Sequence, residues 1–470
     1  MSTGTSKILA VAPAPFPAGE AARRPRALGS VAAVVQSVGA KFFIIAINAA
    51  TGILSARALQ PAGRGELAAM ILWPVFLAGA LTFGLPNALT FRLRSNPEKR
   101  SHLLGAALVL ATLTGLLGSM AGVIFMHAWI PQYSHQVIQF ARLFVLNAPM
   151  TAVLMVGRAA LESHGDFTAS NKLLVVPPAL TLFWLIVLWR VGLLTAVNAA
   201  FAYVVVGLPP FIWMLVRLWR IFQPSLNSFM ASARSLLSYG IRAYGIDLCG
   251  TMSMYIDQAL VVRALVPQMM GTYVVALSLS RVLNAFHASV VMVLFPKAVS
   301  QPPDVVREMT SRAARISTLL TTLAGVGIVS FGPHLLSLLY GREYTGATTV
   351  LRILVLEVVL SGGTFVLSQA FMALERPGVV TALQVLGLLF TLPLMLILVP
   401  RLGIVGAGLA LLLSTSARLI FVLASFPLFL KMRIPNLLPK LEDLKFMAAH
   451  IFEAIQRFRH RRLVALEGAD

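Results

Sequence analysis

About twelve stretches of this chain are apolar and long enough, at roughly 20 residues each, to cross a lipid bilayer. The links between them are short. A crossing segment of that length can satisfy its backbone in hydrocarbon only as a helix, so the chain must fold as a helical bundle. The segments are 31–56, 66–91, 103–128, 138–161, 171–189 and 192–216, then 237–262, 270–296, 313–340, 346–373, 379–399 and 404–430. Only 12% of the 470 residues are charged and 58% are hydrophobic, whereas a soluble domain carries about 25% charged residues.

The net charge of +21 suggests a nucleic-acid partner until the charges are placed. Most bases fall in every second link and in the tails, which is the pattern of the positive-inside rule and of anionic head groups. Nucleic acid is therefore not expected as a partner. With the N-terminus inside, the opposite links carry only Arg57, Arg64, Arg190, Arg263, Arg342 and Arg401. Both termini are expected in the cytoplasm. Residues 1–30, with Pro13, Pro15, Pro17 and Pro25, form a disordered basic cytoplasmic tail, and 217–236 form a cytoplasmic linker. Beyond 431, Leu441, Leu444, Ala448, Ile451, Ile455 and Phe458 recur at helical spacing ahead of Arg457, Arg459, Arg461 and Arg462. That tail, 431–470, is expected as a basic amphipathic helix on anionic lipids.

The two halves repeat. RALQPAGRG at 57–65 returns as RALVPQMMG at 263–271, an offset of 206. Arg142, Val145 and Leu146 return as Arg352, Val355 and Leu356; Arg190 and Gly192 return as Arg401 and Gly403. Each unit holds six spans, so the repeats share one orientation and are related by an axis along the membrane normal. The expected fold is an all-α polytopic membrane protein with about 12 transmembrane helices. These form two parallel six-helix repeats around a central cavity: an N-terminal bundle, 31–216, and a C-terminal bundle, 237–430.

Bases inside spans are the candidate site. Lys41, Arg281 and Arg418 lie deep, at about 3 kcal/mol each on insertion scales. Arg142, Arg242 and Arg352 lie a turn or two inside other spans. Asp247, Asp257 and Glu357 are the acids at comparable depth, too few to neutralise six bases, and the surplus points to an anionic cargo. Polar stripes accompany the charges. Ser37, Lys41, Asn48 and Ser55 share a face of span 1; Tyr244, Asp247, Thr251 and Gln258 one of span 7. Span 8 gathers Ser278, Arg281 and Asn284, and span 12 gathers Ser414, Arg418 and Ser425. Lys41, Arg281, Arg418, Arg352, Arg142, Arg242, Asn48 and Asn284 are thus candidate substrate-binding residues. Asp247, Glu357 and Asp257 are candidates for ion coupling or gating, with Na⁺ or H⁺ as the open choice and no other cofactor expected. The alternatives are structural: ion pairs between Lys41 and Asp247 or Arg352 and Glu357, and snorkelling of Arg142 and Arg242 to head groups.

Enzyme signatures are missing. There is no phosphate-binding glycine loop, no nucleophile elbow, and no histidine pair at metal-ligand spacing on a helix. The single Cys249 excludes an internal disulfide. The chain reads as a transporter, not an enzyme.

Short motifs add a family. LQPAGRGELAAM at 59–70, FGLPNAL at 83–89 and IDQALVVRALVPQMMGTYVVALSL at 256–279 resemble bacterial polysaccharide repeat-unit flippases (O-antigen and exopolysaccharide). LFP at 294–296, LYGREYTGATTVLRIL at 339–354 and PRLGIVGAGLA at 400–410 complete the resemblance, which covers about 31–430. It implies the multidrug/oligosaccharidyl-lipid/polysaccharide exporter superfamily: two six-helix bundles around a V-shaped cavity that rock in alternating access. The implied cargo is an undecaprenyl-diphosphate-linked oligosaccharide, flipped from the inner to the outer leaflet of the bacterial cytoplasmic membrane, with a polysaccharide polymerase complex as an implied partner. Lys41 and Arg281, on the two spans that would flank a lateral opening, would meet the diphosphate. An antiporter of a small anionic molecule or drug, and a lipid II flippase, are the alternatives within this fold.

Overall fold

The computed structural model describes residues 27–299 and 301–437, with side chains from Phe43 onward apart from Ile246 and Val293. Most of the N-terminal tail and the amphipathic tail beyond 437 lie outside the described residues. Everything regular within them is helix. The first half comprises α1 (Ala27–Ala80), α2 (Leu85–Ser95), α3 (Arg100–Trp129), α4 (His135–Val145), α5 (Ala148–Ser163), α6 (Phe167–Arg190), α7 (Ala196–Val205) and α8 (Leu208–Phe222). The second comprises α9 (Phe229–Ala264), α10 (Pro267–Arg281), α11 (Asn284–Ala298), α12 (Pro303–Leu339), α13 (Thr348–Ala373) and α14 (Pro377–Leu430).

Nine helical segments among the described residues are long and apolar enough to cross a membrane. Two of them each hold a sharp kink: α1 bends at Gln60 (φ 59, ψ 173) and α14 at Gly403 (φ 59, ψ −136). Divided there, and with the more polar 36-residue α9 added, the chain makes twelve rods, in agreement with twelve crossings. Four rods are broken midway. The restarts at α2, α5 and α8 each carry a proline in the first turn, Pro86, Pro149 and Pro209, where a missing N–H costs nothing. The break between α10 and α11 instead tightens to short-range bonds, Leu283 N–H to the Ser280 carbonyl and Ala285 N–H to that of Val282. Helix starts at the links are capped by side chains: Ser134, Asp166 and Thr195 accept from the amides of Val137, Ala169 and Asn198.

Three apolar clusters define the shape. The largest joins both halves, running from Ala56 and Leu67–Leu77 through Tyr133–Val145 to Ala259–Leu283 and Leu336–Val358. A second lies within the first half and the start of α9, from Ala78 to Leu236. A third lies wholly within the second half, from Leu294 to Phe426. The halves are therefore joined at the end holding links 57–65 and 263–271. Toward the other, only the first part of α9 stays on the first half, packed on α2 and α3 with Gly240 against Gly84, and the rest of the second half parts from it. Span 8 follows this division, since α10 packs along α1 whereas α11 packs on α12 and α13.

The joined end is a backbone-to-backbone contact. A Cβ on Gly65 would stand 1.8 Å from the Pro267 carbonyl oxygen, and one on Gly271 would stand 1.9 Å from that of Pro61. These are the positions related by the 206-residue repeat, so the contact is reciprocal across the pseudo-twofold axis. Only glycine permits so close an approach.

Candidate functional site

Between the halves lie two adjoining chambers. The one beside the joined end has a volume of about 420 Å³. Its walls are Arg64, Ala68, Ile71 and Val75 of α1, Phe144 of α4, Asn147 between α4 and α5, and Tyr203 of α7. Tyr255 and Gln258 of α9 and Val274 and Ser278 of α10 close it on the other side. The second chamber, about 510 Å³, lies toward the parted end and includes Thr82, Asn87, Thr90, Arg158, Glu162, Asp247 and Thr251. Tyr255 borders both.

Arg64 is the only charged side chain on the first chamber's wall among the described residues. It is 8% exposed, and its Nε and Nη1 have no hydrogen-bond partner among the described residues. The kink at Gln60 and the helix start at Pro61 put it in the first turn of the second rod, facing the cavity. Its repeat counterpart is Met270, fully buried, so the duplication supplies no matching acid. The joined end is further tied down where the Arg57 guanidinium donates to the Leu338 and Leu339 carbonyls, the latter at 2.8 Å. The Tyr344 hydroxyl donates to the Ala56 carbonyl at 3.0 Å.

The second chamber has the opposite polarity. Asp247 accepts from Asn87 Nδ2 at 2.7 Å through Oδ1, while Oδ2 has no partner among the described residues. Glu162 is bonded to Arg158 at 3.2 Å and accepts from Ser170 at 2.5 Å. No base among the described side chains pairs with Asp247.

Four further sequence candidates meet elsewhere, inside the C-terminal bundle. Asp257, Arg281, Glu357 and Arg418 surround a cavity of about 70 Å³ together with Ser253, Thr391, Ser414 and Thr415. Arg281 Nη2 lies 3.5 Å from Asp257 Oδ2, which also accepts from the Tyr273 hydroxyl at 2.9 Å. Thr415 donates to Glu357 at 2.9 Å, and Thr391 and Ser414 are linked at 2.7 Å. Asp257 Oδ1 and Arg418 Nε have no partner among the described residues. Two acids face two bases, so the cluster is balanced and has room for a water or two.

The other candidates do not converge. Arg242, Arg352, Asn48 and Asn284 are exposed, and Arg142 is half-buried with Nε unpartnered. The Lys41 side chain lies outside the described residues. Of the four polar stripes, Asp247, Thr251, Gln258 and Ser278 reach the chambers. Tyr244 instead donates to the Ala80 carbonyl, and Ser55 to that of Thr51. His287 is packed, its Nε2 donating to the Val358 carbonyl at 3.2 Å and Nδ1 lying 2.7 Å from Ser317 Oγ. Arg64 and Tyr255 were not among the candidates, because a hydropathy boundary places Arg64 in a link. Its mismatch with Met270 across the repeat was the available signal.

This geometry has known counterparts. The fold is that of the lipid II flippase MurJ in an inward closed conformation (TM-score 0.69, 14% identity, covering 86% of this chain and 88% of that one). It is also that of a multidrug resistance MATE family transporter of the MOP superfamily in an inward-facing conformation (TM-score 0.65, 16% identity, 82% and 95% covered). At such identities the likeness concerns the fold. A probable low-salt glycan biosynthesis flippase of Haloferax volcanii, Agl15, is 29% identical over 188 residues, 39% of this chain and 40% of the relative. The match thus spans less than half the length of that relative. A family model described as polysaccharide biosynthesis protein matches residues 54–349, well over half of the chain, and the chain belongs to that family.

Proposed function

We propose that this protein is a flippase for a lipid-linked oligosaccharide. In this reading it moves an undecaprenyl-diphosphate-linked repeat unit from the inner to the outer leaflet of a bacterial cytoplasmic membrane, for surface polysaccharide assembly. The observation that carries the reading is the chambered cavity between two bundles, joined at one end and holding an unpaired buried guanidinium, in a member of a polysaccharide biosynthesis family. A cavity of several hundred Å³ lined by amides, hydroxyls and aromatic rings suits sugars. The positive-inside distribution supports cytoplasmic termini, and so a cavity that parts toward the cytoplasm. The polyprenyl chain stays in lipid beside α11. Lys41, on the first rod, meets the diphosphate at the entrance, and the basic tail holds anionic lipid. Coupling through Asp247 and delivery to a polymerase complex belong to the same proposal.

Disrupting the gene and extracting lipids tests it. Undecaprenyl-linked oligosaccharide should accumulate on the inner leaflet while one surface polysaccharide is lost, and its mass identifies the cargo. Unchanged lipid-linked sugars and an intact surface polymer would instead favour a small-molecule antiporter.

A further inference from the structure

We infer that Arg64 reads the glycan and not the lipid carrier: it recognises a carboxylate on the lipid-distal sugars, so the cargo is an acidic oligosaccharide. This rests on the flippase reading and adds a substrate class to it. Three observations carry it.

The first is position. Arg64 lies next to Gly65, whose contact with Pro267 closes the joined end. From there to Gly79, at the edge of the second chamber, α1 runs 15 residues, about 22 Å of helix. A lipid-linked glycan enters from the parted end with its lipid trailing in the bilayer, so the group that arrives beside Arg64 is the one farthest from the diphosphate.

The second is the order of charge. The chamber on the entrance side holds Asp247 and Glu162 against Arg158, and Arg158 is already bonded to Glu162. It offers no free base among the described side chains. The unpaired cation stands beyond it, at the far end.

The third is the state of the guanidinium. Arg64 is more than nine-tenths buried with two nitrogens unpartnered. Neutral sugar hydroxyls would leave that charge without a counter-ion, whereas a carboxylate supplies one and accepts hydrogen bonds from the guanidinium. Asn147, Gln258 and Ser278 on the same wall are placed to bond the remaining hydroxyls of an acidic sugar.

The test uses the full-length protein in liposomes with two synthetic polyprenyl-diphosphate disaccharides, one ending in glucuronic acid and one in glucose. Periodate added outside oxidises the outer-leaflet sugar of either, and mass spectrometry counts the product. Wild type should flip the glucuronate compound at least tenfold faster than the glucose compound. Arg64→Gln should bring that ratio close to one, and Arg64→Lys should leave it between the two, as a point charge without the fork. Equal flipping of the two compounds by wild type would overturn the inference. So would a parallel loss of both in Arg64→Gln and Arg64→Lys, which would mark a diphosphate or scaffold contact. If neither compound crosses faster than in protein-free liposomes, the flippase reading itself falls, and the inference with it.

Discussion

Arg281 is anchored to Asp257, a carboxylate 1% exposed, so its removal does more than subtract a charge. Breaking a buried pair leaves the partner desolvated and alone, at a cost of about 3 kcal/mol or more. Arg281→Ala should lower the thermal midpoint of the purified protein by several degrees, and Asp257→Asn on that background should restore much of the loss. An Arg281→Ala protein as stable as wild type would show that the pair contributes nothing. Asp247 is a different case: one oxygen is bonded and the other is unpartnered at the edge of a water-accessible chamber. Asp247→Asn should alter the dependence of transport on H⁺ or Na⁺, measured in vesicles with imposed gradients, and unchanged dependence would remove it from coupling. At this scale the buried charges and their surplus were legible in the sequence, but not their partners. Asp257 and Glu357 lie on different helices from Arg281 and Arg418, and which faces meet is a matter of tertiary packing. Arg64 was hidden for a local reason, since hydropathy cannot distinguish a one-residue kink from a loop.

That kink sets the geometry of the first two rods. Gln60 holds φ 59 and ψ 173, a region almost reserved for glycine, at a cost of about 1–3 kcal/mol for other residues. Its repeat counterpart, Val266, has an ordinary φ of −65, so the strain belongs to the first half alone. Gln60→Gly should raise the thermal midpoint, and Gln60→Val should lower it; the reverse order would mean that the side-chain bond from Gln60 to the Arg57 carbonyl outweighs the backbone. One residue along the rod from Arg64, Gly65→Val would force a side chain into the Pro267 carbonyl. The joined end should then fail to close, and a cysteine at Ser278 should react with an impermeant maleimide supplied at that end severalfold faster than on the wild-type background. The twelve-rod frame was readable because a bilayer leaves so few choices. The mid-rod breaks were not, since Pro149 and Pro209 lie inside apolar runs that give no other sign of interruption.

The whole molecule is two similar bundles that share one apolar cluster at one end, while toward the other only the start of α9 crosses from the second half to the first. Such a shape admits water from one side only. A cysteine at Asn87 should label with an impermeant reagent from the cytoplasmic face of inside-out vesicles and resist labelling in intact spheroplasts. Equal labelling from both sides would deny the closed end, and the opposite preference would invert the orientation. The duplication foretold the pseudo-symmetry, and the contact between Gly65 and Gly271 gives it a physical centre. What the repeats do not share is charge: the first contributes Arg64 to the chamber at the joined end with no matching acid from the second among the described residues, while the second keeps a balanced quartet to itself.

In the orientation proposed above, the reciprocal glycine contact faces the medium beyond the membrane. It is made of main-chain atoms fitted by shape, and the bonds beside it, from the Arg57 guanidinium and the Tyr344 hydroxyl, end on main-chain carbonyls, which do not titrate. Acid or salt in the surroundings has little purchase on such a closure. A cell bathed in brine, rain or acid would find it shut to the same degree.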